Sequence, residues 1–179
     1  MSAVSEPAES PVPIREGARR VRTIEWEDPT ALVSGSSGLS GLETMCRIAA
    51  GEAPPPPIAK LLDMELVEVG AGRAVFALRP AEWMYNPIGS VHGGIAATIL
   101  DSCMGCAVHT TLEAGVGYTT TDLQVRYLRA MREGGGRVLA EGRVVHAGRR
   151  TATAEGRLFL EEDETVLYAH GSTGCVILR

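Results

Sequence analysis

The amino-acid sequence predicts an α+β fold in which one long helix is wrapped by a curved antiparallel β-sheet. Residues 93–109 place apolar side chains on nearly every side of a helix, so this helix must be buried almost completely. Two strand patterns precede it and four follow it. Runs of strands without alternating helices favour an antiparallel sheet over a doubly wound parallel one.

The remaining elements follow from the spacing of apolar residues and from the positions of glycine and proline. Residues 42–49 have helical spacing and Gly51 ends that segment, which predicts an extra N-terminal helix. A proline-rich connector at residues 54–57 leads to one more helical turn over residues 58–61. The predicted strands are residues 62–69, 73–78, 137–146, 151–161 and 165–178, and one more follows Gly117, where residues 122–127 alternate between apolar and polar.

The chain of 179 residues is long enough for one domain with a sizeable core. Residues 1–40 differ in composition from the rest. Residues 1–13 are rich in Ser, Pro, Ala and Glu, and residues 34–38 have the composition of a flexible linker. We therefore expect a flexible N-terminal tail over residues 1–40 and a single domain over residues 41–179.

Composition argues against several classes of partner. The net charge of −5 and the aromatic content of 4% are unfavourable for binding nucleic acid. No segment approaches the roughly 18 apolar residues of a membrane span, and no secretory signal pattern is present. Four cysteines are too few for a disulfide framework in a chain of this length. These features predict a cytoplasmic protein without membrane or nucleic-acid partners.

Asp101 is the unusual residue of the central helix. It lies about two turns into the helix, next to Leu100 and close to Cys103. Burying an ionised carboxylate without partners is costly, so an aspartate here needs either hydrogen bonds or a chemical task. A hydrogen-bonded core aspartate is the structural alternative.

The segment His92-Gly93-Gly94 begins the same helix. Two glycines leave the backbone N–H groups unhindered at the positive end of the helix dipole, where they could stabilise a developing oxyanion. Taken alone, the triplet more often indicates close packing or a tight turn, and His92 a simple cap or a surface residue.

Spacing along this helix predicts a homodimer. Gly93 and Asp101 are eight residues apart, which corresponds to about 12 Å along the axis. A reacting carbonyl must lie about 3 Å from both the oxyanion donors and the attacking group, so one helix cannot supply both. Two helices related by a two-fold axis can, because each Asp101 then approaches the N-terminus of the other helix.

The pattern Asn86-x2-Gly89-x2-His92-Gly93-Gly94-x6-Asp101-x3-Gly105 resembles the PaaI-like, phenylacetate-pathway branch of the hotdog-fold acyl-CoA thioesterases. The resemblance covers roughly residues 41–178 and continues through residues 117–122, 142–150 and 168–170. It implies a hotdog domain that forms dimers and often homotetramers. The implied activity is hydrolysis of an aryl- or medium-chain acyl-CoA to the free acid and CoA.

The resemblance also implies roles for matching positions. Asp101 would be the nucleophile or general base, and the backbone N–H of Gly93 or Gly94 of the partner subunit would polarise the thioester carbonyl. A thioester is an activated acyl group, so this set suffices without a metal or a cofactor, CoA being part of the substrate.

Supporting residues are implied in the same way. Asn86 would help to hold the carbonyl or the attacking water, and His92 would shape the start of the helix. A hydroxyl residue of the following strand would orient water or the carboxylate, and among Thr119, Thr120 and Thr121 we favour Thr120.

The rest of the substrate needs its own contacts. CoA phosphates require cationic or amide partners, for which the turn residues Arg149 and Arg150 are the candidates, with Arg126 and Arg129 in reserve. Candidate acyl-pocket residues are Trp83, Met84, Tyr85, Met104 and Val108.

Other functions fit the sequence less well. A non-catalytic acyl-CoA-binding or sensing module would keep the fold without needing a buried carboxylate. A hydratase would need a paired Asp and His at short spacing. Cys103, Cys106 and His109 have helical spacing but are three ligands where a structural zinc site normally has four, so they are interpreted as core residues. The two cysteines lie well inside the helix, which also disfavours redox activity.

Overall fold

A computed structural model describes residues 19–179, except for the side chains at positions 32 and 33. The helices are α1 (Pro29–Gly35), α2 (Gly41–Ala49), α3 (Pro57–Leu62) and α4 (Gly93–His109), with a short 3₁₀ helix at Glu82–Met84. The strands are β1 (Glu65–Gly70), β2 (Arg73–Leu78), β3 (Gly117–Tyr127), β4 (Val138–Ala147), β5 (Thr151–Leu160) and β6 (Asp163–Leu178).

The six strands form one antiparallel sheet in the order β1-β2-β4-β5-β6-β3. Helix α4 lies across one face of this sheet and packs against every strand from β2 to β6. The prediction of one long helix wrapped by an antiparallel sheet is confirmed. The edges of the sheet are β1 and β3, and β3 is the longer of the two.

Close packing of α4 on the sheet depends on two glycines. A Cβ at Gly142 of β4 would overlap the carbonyl of Cys103, and a Cβ at Gly156 of β5 would lie 2.9 Å from Cγ of Met104. Both α4 residues are completely buried. The helix therefore rests directly on the strand backbones, and larger side chains at these glycines would push it away.

The extra N-terminal helix is present as α2. Ser40 and Glu43 form a reciprocal capping box at its start. The Gly41 N–H donates to the carbonyl of Leu112, 3.0 Å away, which ties α2 to the segment after α4. The expected helical turn is α3, which ends at Leu62, so the first strand begins at Glu65 rather than at residue 62.

Part of the segment assigned to the tail has structure. Residues 29–35 form α1, and Arg22 lies with its guanidinium 3.6 Å from the ring centroid of Trp83 and 2.9 Å from the carboxylate of Asp63. Residues 1–18 lie outside the described residues, so the boundary at residue 40 stays a prediction. No helix in the part of the chain described is long and apolar enough to cross a membrane.

Candidate active site

Asp101 and Thr120 are brought together where α4 packs against β3. Thr120 Oγ1 donates a hydrogen bond of 2.9 Å to Oδ1 of the half-buried Asp101. Thr119 is exposed, and Thr121 donates instead to the carbonyl of Gly174. Of the three adjacent threonines, Thr120 is the one that contacts the carboxylate.

A β-bulge in β3 selects this threonine. Thr120 pairs with Cys175 of β6, but the next pair joins Asp122 to Gly174, so one extra residue is inserted at Thr121. A bulge changes which side chains point to each face of a sheet. Simple alternation along the strand therefore could not have identified Thr120.

The N-terminus of α4 is capped by His92. The imidazole Nδ1 accepts a hydrogen bond of 2.9 Å from the Gly94 N–H. Gly94 therefore already has an acceptor, whereas the Gly93 N–H has none among the described residues. Of the two glycines expected to polarise the carbonyl, Gly93 has the available donor, and the roles of Gly93 and His92 toward a substrate stay predictions.

Tyr127, at the end of β3, fixes the position of Gly93. Its hydroxyl donates 3.1 Å to the Gly93 carbonyl, and a Cβ at Gly93 would lie 3.2 Å from Cζ of the tyrosine ring. Sequence patterns identified Tyr127 only as one member of an alternating strand, because the contact joins residues far apart in the chain. This residue was missed.

Asn86 organises the loop before α4. Its Oδ1 accepts hydrogen bonds from the backbone N–H groups of Ile88 and Ser90, and its Nδ2 donates to the Ser90 hydroxyl. Gly89 has a φ of +79°, which a non-glycine residue would adopt only with strain. Within one chain Asn86 thus builds the loop, and its contact with substrate stays a prediction.

Gly93 and Asp101 do not converge within one chain. They occupy the first and ninth positions of α4, about 12 Å apart along the axis. The free edge of β3 lies beside Asp101, and a long edge strand can pair with a second chain.

Arg149 and Arg150 are exposed in the turn between β4 and β5. Thr119 of β3 pairs with Val176 of β6, which in turn pairs with Thr151 of β5. The turn therefore lies about 10 Å across the sheet from the Asp101–Thr120 pair, at two strand spacings.

The cysteines of α4 are core residues. Burial raises the pKa of the Cys103 thiol well above its usual value and that of Cys106 to about 12. Neither thiol is ionised near neutral pH, so neither is suited to nucleophilic attack. Among residues 19–179, no three His, Cys, Asp or Glu side chains are grouped so that they could hold a metal ion.

The matching family model is that of the thioesterase superfamily, over residues 88–167. A protein of Halobacterium salinarum, whose assignment as an esterase is itself provisional, is 44% identical over 69 residues. That match spans 37% of this chain and 44% of the length of that curated relative.

Solved structures extend the likeness to the whole fold. A phenylacetic acid degradation-related protein of Ralstonia eutropha is 28% identical, with a TM-score of 0.65 over 74% of this chain and 98% of its own. The PaaI protein of the Escherichia coli phenylacetic acid degradation operon has a TM-score of 0.67 at 18% identity, over 78% of this chain and 97% of its own. Residues 88–167 therefore match the thioesterase superfamily, and the described part of the chain has the hotdog fold of these structures.

Proposed function

We propose that this protein is an acyl-CoA thioesterase that hydrolyses an aryl- or medium-chain acyl-CoA to the free acid and CoA. The observation that carries the proposal is the half-buried carboxylate of Asp101 on the central helix, which accepts a hydrogen bond from the Thr120 hydroxyl of β3. Both residues lie in the segment that matches the thioesterase superfamily. A carboxylate placed in this way can act on an activated acyl group.

Asp101 has two possible modes of action. As a general base it removes a proton from water while the water oxygen attacks the thioester carbon. As a nucleophile it forms a mixed anhydride, which water then hydrolyses. In both modes the C–S bond breaks, the electron pair leaves with the CoA sulfur, and the thiolate takes up a proton. Thr120 keeps the carboxylate aimed at the acyl carbon.

The carbonyl oxygen needs a donor that Asp101 cannot provide. We assign this role to the Gly93 N–H of a second copy of the chain, because one protomer separates the two groups by about 12 Å. Pairing of two β3 edges would place the helices side by side. The functional unit is then a homodimer with two shared sites, and two dimers would form the homotetramer.

The CoA part of the substrate is assigned to Arg149 and Arg150. Both are exposed, and the turn that carries them lies within reach of a CoA molecule whose thioester is at Asp101. Their guanidinium groups can bind phosphate oxygens through paired hydrogen bonds.

The alternative is a binding module that holds acyl-CoA without cleaving it. Release of thiol from a panel of aryl- and fatty-acyl-CoAs distinguishes the two functions. For an enzyme, Asp101→Asn lowers kcat by at least about 100-fold. Asp122→Asn, which changes an exposed carboxylate on β3, is the matched control and retains activity.

Two results would argue against the proposal. Undiminished turnover by Asp101→Asn would remove the assigned role of this carboxylate. Tight binding of acyl-CoA by the wild-type protein, with no release of thiol from any member of the panel, would favour the binding module.

A further inference from the structure

An open cavity of about 350 Å³ lies between the N-terminus of α4 and the chain segment at the end of β3. Gly93 lines it, together with residues 127–131 and Tyr168 of β6. The volume is within the range of small-molecule sites, roughly 300–1,000 Å³. Because the Gly93 N–H is the donor assigned to the thioester carbonyl, a substrate held there has part of its structure directly beside this cavity.

Backbone hydrogen bonds fix the wall that faces α4. The Met131 carbonyl accepts from the Val91 N–H, 3.0 Å away, which ties the wall to the segment before the helix. The Tyr168 carbonyl accepts from the N–H groups of Leu128 and Arg129, at 2.8 and 3.2 Å, which ties the wall to β6. The position of the Arg129 backbone is therefore set within a single chain.

Two polar side chains of this lining have no partner within the described residues. Tyr168 is only 7% exposed, and its hydroxyl makes no hydrogen bond there. The hydroxyl oxygen keeps contact with solvent, so a ligand can reach it. Arg129 is the one charged residue of the described lining, and its guanidinium forms no ion pair there. A bound molecule that supplies acceptors to both groups is stabilised by them.

We infer that this cavity binds the far end of the acyl group and selects substrates in which that end is a carboxylate. The substrate class is then a thioester that joins CoA to one end of a dicarboxylic acid. The inference rests on the proposed function and adds this class to it. The lining includes none of the five acyl-pocket residues expected from sequence, of which Met104 and Val108 are fully buried core.

The chemistry of the wall supports this occupant. Val91, Ala96 and Met131 are buried apolar residues of the lining, and they suit the methylene groups between the two ends of a diacid. A carboxylate can accept from the guanidinium of Arg129 and from the hydroxyl of Tyr168 together, whereas a methyl end leaves both without a partner. A CoA phosphate carries the same charge, but the polar nucleotide arm fits these apolar walls less well.

Matched thioesters of equal carbon number test the class. In at least one of the pairs adipyl-CoA with hexanoyl-CoA and suberyl-CoA with octanoyl-CoA, the wild-type protein should have a kcat/KM at least about tenfold higher for the diacid. Arg129→Gln should lose this preference and keep the kcat/KM of the monoacids. Arg79→Gln, an exposed arginine outside the lining, is the matched control and should keep the preference. No preference for the diacid in either pair overturns the inference.

Tyr168→Phe keeps the ring and removes only the hydroxyl. The preference for the diacid should fall about tenfold while the kcat/KM of the monoacid stays constant, because the hydrogen bond is made only to the carboxylate. An equal loss with both members of a pair would show a packing role alone and would contradict the assignment of Tyr168.

The same measurements distinguish an acyl carboxylate from a CoA phosphate. If Arg129 binds a phosphate, Arg129→Gln raises KM equally for diacid and monoacid thioesters of CoA and leaves the corresponding acyl-pantetheines unaffected. That result overturns the inference.

Failure of the inference can be separated from failure of the proposed function. If the wild-type protein hydrolyses no acyl-CoA, the proposed function fails. Calorimetric titration of the wild-type protein and Arg129→Gln with both pairs then tests the carboxylate site independently of turnover, and tighter binding of the diacid by the wild-type protein alone supports it. If hydrolysis is observed without a preference for diacids, the inference alone fails.

Discussion

Thr120 Oγ1 lies 2.9 Å from Asp101 Oδ1, with the threonine on β3 and the aspartate on α4. The hydrogen bond joins the central helix to the edge strand at a half-buried position. A hydroxyl that donates to one carboxylate oxygen fixes the orientation of the group and leaves the other oxygen for substrate or water.

Replacing Thr120 by Val removes this donor while keeping the shape of the side chain. We expect kcat for thioester hydrolysis to fall at least about tenfold with little change in KM, because a hydrogen bond to a charged group contributes about 1.5 kcal/mol or more. Thr120→Ser keeps the hydroxyl and should retain most of the activity. Wild-type kcat in Thr120→Val would show that the contact has no part in the reaction.

Tyr127→Phe tests the support of the helix N-terminus. The ring still packs against Gly93, but the hydrogen bond to its carbonyl is lost. We expect kcat to fall about threefold with KM unchanged, and thermal stability to change by less than about 1 kcal/mol because Tyr127 is exposed. A shift in melting temperature with unaltered kcat would indicate a structural role alone.

Charge reversal at Arg149 and Arg150 tests the binding of CoA. The double variant Arg149→Glu with Arg150→Glu should raise KM for acyl-CoA about tenfold and leave kcat nearly constant. The corresponding acyl-pantetheine lacks the nucleotide phosphates, so its KM should be the same for the variant and the wild-type protein. Equal effects on both substrates would place the phosphates elsewhere.

A buried ion-pair cluster on the face of the sheet opposite α4 makes stability depend on pH. Glu141 is only 4% exposed and lies 2.6 Å from Arg73, 2.7 Å from Arg143 and 3.0 Å from Arg157. Burial by itself raises the pKa of Glu141, but hydrogen bonds from the three arginines outweigh burial and lower it to about 2. The ionised form is therefore favoured in the folded protein.

The sign of the pH effect follows from this lowered pKa. The stabilisation is fully present above the ordinary value of 4.5 and is lost as pH falls through about 2. Glu141→Gln should lower the free energy of unfolding by roughly 3 kcal/mol at neutral pH. The difference in free energy of unfolding between this variant and the wild-type protein should decrease as the pH falls from 4.5 to about 2. Denaturant unfolding at several pH values measures this, and a difference independent of pH would rule out the charge as the cause.

The fold could be predicted from sequence because the spacing of apolar residues reports burial directly. The apolar residues of 93–109 correctly indicated a helix packed on the sheet, although eight of its 17 residues are buried in the single chain, fewer than the almost complete burial expected. The glycine-rich turns between strands mark reversals of the chain. The structure of residues 19–35 could not be predicted in this way. Arg22 is held by Trp83 and Asp63, which are remote in sequence, whereas the local composition is that of a linker.

The candidate site was only partly predictable. Asp101 was identified because a carboxylate in an apolar helix is unusual, and the glycines because they begin that helix. The choice among three threonines depends on a β-bulge, which has no sequence pattern that we recognised. Tyr127 acts through packing of distant segments, so no local pattern indicated its contact with Gly93.

The central claim is that Asp101 of one protomer acts with the Gly93 N–H of its partner. Two single variants each remove one of these groups. Asp101→Asn removes the carboxylate function. Gly93→Pro removes the N–H at the first helical position, where proline is tolerated, and the preceding His92 has φ −60° and ψ 134°, which suit a residue before proline. The added Cβ requires the exposed Tyr127 ring to move by a few tenths of an ångström, so Gly93→Ala, which adds the same Cβ and keeps the N–H, is the matched control.

Thiol release by mixed dimers, purified through a different tag on each variant, tests this claim most directly. If the site is shared, one of the two sites in a mixed dimer regains both groups, and activity should recover to about half that of the wild-type dimer. If both groups act within one chain, neither site is complete. Mixed dimers no more active than the two separate variants would contradict the account.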